Sequence, residues 1–244
     1  MRISLALLAT TSLFFGACGE NQSVENSQSK ALVTEAQAGR AFEIVKAIDY
    51  IPFTYIVDGC YARSLYMSME LAAKEIPSSA YYIFGYLQPT ESVSWGYHVA
   101  PALKIKGGES WILDPAFENE PLSLAAWQAK NNPQGDFQND LKAGSAYFDP
   151  TGRTSEFNMN NMVQNFEEMP TFLTSDIASA CTVMYQYIPL QKQTPSQSNA
   201  QRAKLVARTV KLVDALQNNG KLENDGVNSD ANSVCRNAAV SASR

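Results

Sequence analysis

Histidine is nearly missing from this sequence: its 244 residues hold one, His98, and only four cysteines, Cys18, Cys60, Cys181 and Cys235, which lie far apart. With no histidine and cysteine cluster at metal-ligand spacing, a transition-metal site is not expected. A glycine-rich phosphate loop and any internal repeat are also lacking, so no cofactor is expected and no repeat architecture. Positive charge is in short supply. Nineteen lysines and arginines against 24 acidic residues give a net charge of −5, with the signs interspersed. Nucleic-acid binding needs a cationic surface that displaces counterions, and none is indicated. Past the N-terminal residues, no apolar run is long enough to cross a bilayer as a helix.

The N-terminal residues are of another kind. Met1-Arg2, the apolar run ISLALLATTSLFFG and the ending Gly16-Ala17-Cys18 have the build of an export signal. The ending resembles a bacterial lipobox, with Phe15 where an aliphatic residue is usual. Residues 1–17 are therefore expected to be a signal peptide. Cys18 would be the lipidated residue and 18–33 a polar tether. The folded domain would span 34–221, with a polar tail over 222–244. An ordinary signal peptide with a coincidental cysteine is the alternative. The expected location is the bacterial cell envelope, with a monomer held to the membrane by lipid.

Export also makes cysteine counting informative, because disulfides persist outside the cytosol. With Cys18 lipidated, three cysteines remain. Pairing Cys181 with Cys235 leaves Cys60 free; a Cys60–Cys181 bridge with Cys235 free is the rival. Both stay open at this point.

Hydrophobic residues make up 45% of the chain, enough for one well-filled core. A helix is expected from an N-cap at Thr34 to Ile48, another from Cys60 to about Glu75, a short one around 122–130, and another around 159–168. A long amphipathic helix is expected over 196–221. Strands are expected at 80–88, 92–106 and 109–115, the last two flanking Gly107-Gly108, a strong hairpin signal. The stretch ASACTVMYQYIPL (178–190) reads as either strand or helix. The class is α+β, with a cysteine-bearing helix packed on an antiparallel sheet that carries His98 and Asp114.

Three residues in this framework can do chemistry together. Cys60 opens a helix, whose unpaired N–H groups and dipole favour a thiolate. His98 lies in the second strand, and the hairpin folds Asp114 back towards it. A carboxylate there can orient the imidazole and stabilise the imidazolium that a thiolate partner requires. Each also has a plainer reading. A lone strand histidine is commonly structural, and Asp-Pro commonly starts a turn. The hairpin register discriminates. A regular two-residue turn at Gly107-Gly108 would turn Asp114 away from His98, and only an offset of one residue puts both on one face. A bulge near Pro101 or an odd-length loop is therefore expected.

The blocks DGCYARS around Cys60, SWGYHVA around His98 and WILDPAF around Asp114 resemble the active-site blocks of the bacterial protein glutaminases. These are secreted protein-glutamine deamidases with a papain- and transglutaminase-like fold. The resemblance covers about residues 50–120. It implies Cys60 as nucleophile, His98 as general acid and base, Asp114 as orienting carboxylate, and a glutamine-containing protein or peptide as substrate. Trp95 and Tyr97 either line the acceptor cleft or belong to the core, as strand aromatics commonly do. A cell-wall amidase or peptidase uses a similar triad, a transglutaminase passes the same acyl group to lysine, and a binding module would keep Cys60 for structure.

Overall fold

The computed structural model describes residues 32–108, 110–131, 139–143, 171–225 and 235. The expected signal peptide, Cys18, most of the tether and the helix expected around 159–168 lie outside the described residues.

Helix α1 (Glu35–Lys46) starts where the sequence indicates. The Thr34 hydroxyl accepts from the Gln37 N–H, and the Gln37 side chain accepts from the Thr34 N–H, a capping box that satisfies orphan donors at both positions. Its Ala38, Ala41, Phe42 and Val45 are buried at helical spacing. Helix α2 (Cys60–Ala72) is buried along its whole length. A helix buried on all sides needs neighbours on all sides. Here they are α1, the sheet, α4 (Thr174–Tyr187) and α5 (Pro195–Asn218). Burying a side chain such as Leu65 or Met69 in this setting contributes about 1.5–3 kcal/mol each.

Among the described residues, the sheet has five antiparallel strands in the order β4-β3-β2-β1-β5. They are β1 (Ser79–Thr90), β2 (Val93–Lys104), β3 (Ser110–Ile112), β4 (Leu122–Ser123) and β5 (Asn139–Ala143). Strand β1 runs through Pro89, which the sequence suggested as its boundary. Among the described residues, β5 pairs with residues 80–84 and none is paired on that side with Pro89, which has no N–H to give. Side chains alternate between two cores. Tyr82, Val99 and Leu103 face the main core with α1, α2, α4 and α5. Tyr81, Ile83, Ala100, Ala102 and Ile112 face a smaller one closed by Trp127 of α3 (Leu124–Asn131).

The ambiguous stretch 178–190 is helical. It forms most of α4, followed by a short 3-10 turn at Ile188–Leu190. Three contacts bind the C-terminal region to β6 and α4. Strand β6 (Phe172–Leu173) pairs in parallel with β7 (Leu222–Glu223). Asp225 Oδ1 accepts from the Ser175 N–H (3.0 Å) and the Thr174 hydroxyl (2.8 Å), capping a helix whose own N-cap side chain, Leu173, has no acceptor. Cys235, buried, is bonded to Cys181 of α4 with Cα atoms 5.6 Å apart.

Candidate active site

Cys60 is the first residue of α2, follows a left-handed Gly59, and carries a free thiol that is 8% exposed. His98 sits in the central strand β2, and Asp114 just after β3. The β2–β3 register pairs Ala102 with Ile112 and Lys104 with Ser110. That is offset by one residue from a two-residue turn at Gly107-Gly108. The Leu113 N–H carries the offset one pair further by donating to the Pro101 carbonyl at 2.9 Å. The shift arises in the connecting loop, while pairing stays regular at Pro101, opposite Ala80 on the other side.

The offset brings His98 and Asp114 together. The imidazole Nε2–H donates to Asp114 Oδ2 at 2.8 Å, and both residues are 2% exposed. Trp127 reaches the same oxygen, its indole N–H donating at 2.9 Å. Asp114 also starts a turn, since its carbonyl accepts from the N–H groups of Phe117 (3.1 Å) and Glu118 (2.9 Å). The two readings of Asp-Pro are thus compatible: the backbone makes the turn and the side chain holds the histidine.

Aromatic rings enclose the imidazole. Trp95 stacks on it with centroids 4.6 Å apart, Phe117 meets it edge-on at 5.7 Å, and Trp127 lies tilted at 5.4 Å. Trp95 and Tyr97 part company, although only two positions separate them. A register slip in β1 between Phe84 and Leu87 places Trp95, opposite Leu87, in the α3-side cluster with His98's neighbours. Tyr97 packs on the main core and stacks with Tyr82 at 6.3 Å.

Charge is arranged around the same groups. Burial disfavours the His98 imidazolium, but the Asp114 carboxylate, its hydrogen bond and the nearby Cys60 outweigh burial and raise the pKa from 6.5 to about 9. Burial pushes Asp114 up; the charge and hydrogen bond of His98, the indole of Trp127 and the guanidinium of Arg63 bring it net below the usual carboxylate value. With Nε2 taken by Asp114, the buried Nδ1 is the ring nitrogen left for Cys60; it has no regular hydrogen-bond partner of its own. Thiol, imidazole and carboxylate therefore form one electrostatic unit. It can hold a thiolate–imidazolium pair and move a proton through Nδ1.

Arg63 lies one helical turn after Cys60. Its Nη1 donates to the carbonyls of Tyr55 (2.7 Å) and Asp58 (2.9 Å), and its buried Nη2 has no hydrogen-bond partner among the described residues. Burial lowers its pKa, against the pull of Cys60 and Asp114. Neither Arg63 nor Trp127 is singled out by the sequence reading, although Arg63 stands within the DGCYARS block. Among the described residues, no group of three or more His, Cys, Asp or Glu is placed to hold a metal. No described helix is long and apolar enough to cross a membrane.

Residues 33–131 match the family model described as Glutaminase. No curated protein matches the chain. Among solved structures, the chain is similar to a mutant of pro-protein-glutaminase (25% identity, TM-score 0.42), over 53% of this chain and 56% of that one. It is similar to the NMR structure of protein-glutaminase from Chryseobacterium proteolyticum (23%, 0.49) over 68% and 92% of the two chains. A crystal structure of protein-glutaminase (23%, 0.48) is matched over 68% and 94%. The chain thus spans little more than half of the first of these and most of the other two.

Proposed function

We propose, starting from the match of residues 33–131 to the glutaminase family model, that this protein hydrolyses the side-chain amide of glutamine in proteins or peptides, giving glutamate and ammonia. The observation that carries the reading is the buried His98–Asp114 pair with Cys60 beside it at a helix start. The resemblance of the three blocks to protein glutaminases supports a glutamine within a polypeptide as the substrate.

In this reading the Cys60 thiolate attacks the carboxamide carbon, and the carbonyl π electrons move onto oxygen. The backbone N–H of Cys60 at the start of α2 receives that oxyanion, an interaction of a kind that contributes about 3 kcal/mol. The His98 imidazolium gives its Nδ1 proton to the departing nitrogen, the C–N bond breaks, and ammonia leaves a thioester on Cys60. Neutral His98 then takes a proton from water as the water adds to the thioester. Collapse expels the sulfur and releases glutamate. Asp114 stays ionised throughout and holds the ring. Trp95, stacked on that ring, is proposed to border the acceptor cleft. Tyr97, packed towards the core, carries less of that role. Export and lipidation at Cys18 belong to the same proposal and rest on the N-terminal sequence.

Ammonia release from casein by the purified protein, beside Cys60→Ala, tests the reading. Cys60-dependent ammonia with +1 Da at glutamines and an uncut backbone is the expected result. A silent wild type with a free Cys60 would reject the glutamine substrate and send the test to peptidoglycan amides. Added amine appearing on glutamine in place of water would mark a transferase.

A further inference from the structure

The turn that presents Cys60 is held from outside the family-matched segment. Gly59, the N-cap of α2, has φ +84° and no side-chain cap bond. A Cβ at this position would lie 3.0 Å from Cδ2 and Cε2 of Tyr187 and 3.1 Å from Cε of Met184. Both residues belong to α4, beyond residue 131. The Tyr187 hydroxyl donates to Asp58 Oδ2 at 2.6 Å, and Asp58 Oδ1 accepts from the Gly59 N–H at 2.6 Å. One carboxylate thus links the amide next to the nucleophile to a helix 129 residues away. Tyr61, on the other side of Cys60, also hydrogen-bonds Tyr187, and the Tyr55 ring packs on it at 4.8 Å. From beneath, Arg63 holds the carbonyls of Tyr55 and Asp58.

We propose that Tyr187 is a positioning residue for Cys60: it fixes the Asp58-Gly59 turn so that the thiol meets His98. Helix α4 is then part of the catalytic apparatus. The inference rests on the reading of Cys60 as the nucleophile. Its physical content is that a thiol displaced by a fraction of an ångström loses its alignment with the imidazole, and losses from such misplacement reach about 100-fold per ångström.

Tyr187→Phe keeps the ring against Gly59 and deletes only the hydroxyl. In the full-length protein, the rate of Cys60 alkylation by iodoacetamide is measured, together with kcat and KM for ammonia release and the thermal midpoint. Cys181 and Cys235 are paired, and mass spectrometry of the alkylated peptides separates Cys60 from Cys18. Alkylation and kcat are expected to fall about tenfold with KM within about twofold, well below the melting temperature. Asp58→Ala is expected to match it, and the double variant to be no worse than either single one. Tyr185→Phe, on the same helix but packed against Arg202 at 4.3 Å, is expected to behave as wild type. Wild-type alkylation and kcat in Tyr187→Phe would overturn the proposal. If that variant does not fold, Asp58→Ala reads the same linkage from its other end. Alkylation needs no substrate, so the two readings fail separately. Slowed alkylation without ammonia in any variant rejects the deamidase and keeps the positioning role. Unchanged alkylation with Cys60-dependent ammonia does the reverse.

Discussion

Trp127 and His98 share one oxygen of Asp114, at 2.9 and 2.8 Å. A carboxylate that accepts two N–H donors in a buried place is fixed in rotation as well as in charge, because either donor alone would let it swing. The indole therefore acts on the imidazole through Asp114.

Trp127→Phe keeps most of the ring in the α3-side core and removes the N–H. Losing a donor to a buried carboxylate costs about 1–3 kcal/mol. Denaturant unfolding is expected to show that loss. Activity is expected to fall through kcat, and a kcat at the wild-type value would remove Trp127 from the site.

The pH dependence follows from the pair. His98 has its pKa raised to about 9 from an ordinary 6.5, so its stabilisation is fully present below pH 6.5 and is lost as pH rises through about 9. Asp114 is depressed below 3.8, so its contribution is present above that value and is lost as pH falls through the lowered one. Stability and kcat/KM are both expected to decline on an alkaline limb near pH 9. In Asp114→Asn that limb moves down towards 6.5 and kcat drops. An unmoved limb in this variant would assign the titration to another group.

Cys235→Ser opens the link between α4 and the chain's C-terminal region, which closes a loop of 54 residues. The expected loss is about 2–4 kcal/mol of stability, read as a lower midpoint in urea. Through α4 and Tyr187 it is also expected to slow alkylation at Cys60, read on the Cys60 peptide because the substitution frees Cys181.

Asp225→Ala removes the acceptor that caps α4 from the far end of the chain. About 1 kcal/mol of stability is expected to go, together with the link between β7 and the first turn of α4. The loss is expected to disappear on acidification: burial pushes this carboxyl up, but the hydroxyl and amide of Ser175 and the hydroxyl of Thr174 together outweigh it and hold the carboxyl below its usual value.

Features written in adjacent residues were legible in advance. Thr34 marks the start of α1, Cys60 that of α2, and the strand-like stretches around Gly107-Gly108 the β2–β3 hairpin. The one-residue offset followed from taking His98 and Asp114 as partners, since they share a face under no other simple register. Long-range features were not legible. The Trp127 indole reaches Asp114 from a helix with no local mark of that task, and Tyr187 meets Asp58 across 129 residues. Strands β4, β6 and β7 are two residues long, too short to show alternation. The α4 stretch carries β-branched and aromatic residues that suit either state, and packing against α2 decides it as helix.

That the chain's one histidine is the imidazole held by Asp114 turns the protein into its own spectroscopic reporter. Histidine labelled with carbon-13 at ring Cε1 places a single ring signal in a magnetic-resonance spectrum, with no residue assignment to make. Its shift against pH tracks the protonation of this one group. Its splitting or broadening on binding of a glutamine peptide registers contact at the site itself. A change at Trp95, Trp127, Asp114 or Tyr187 can then be followed in the resting protein, atom by atom, before any turnover is measured.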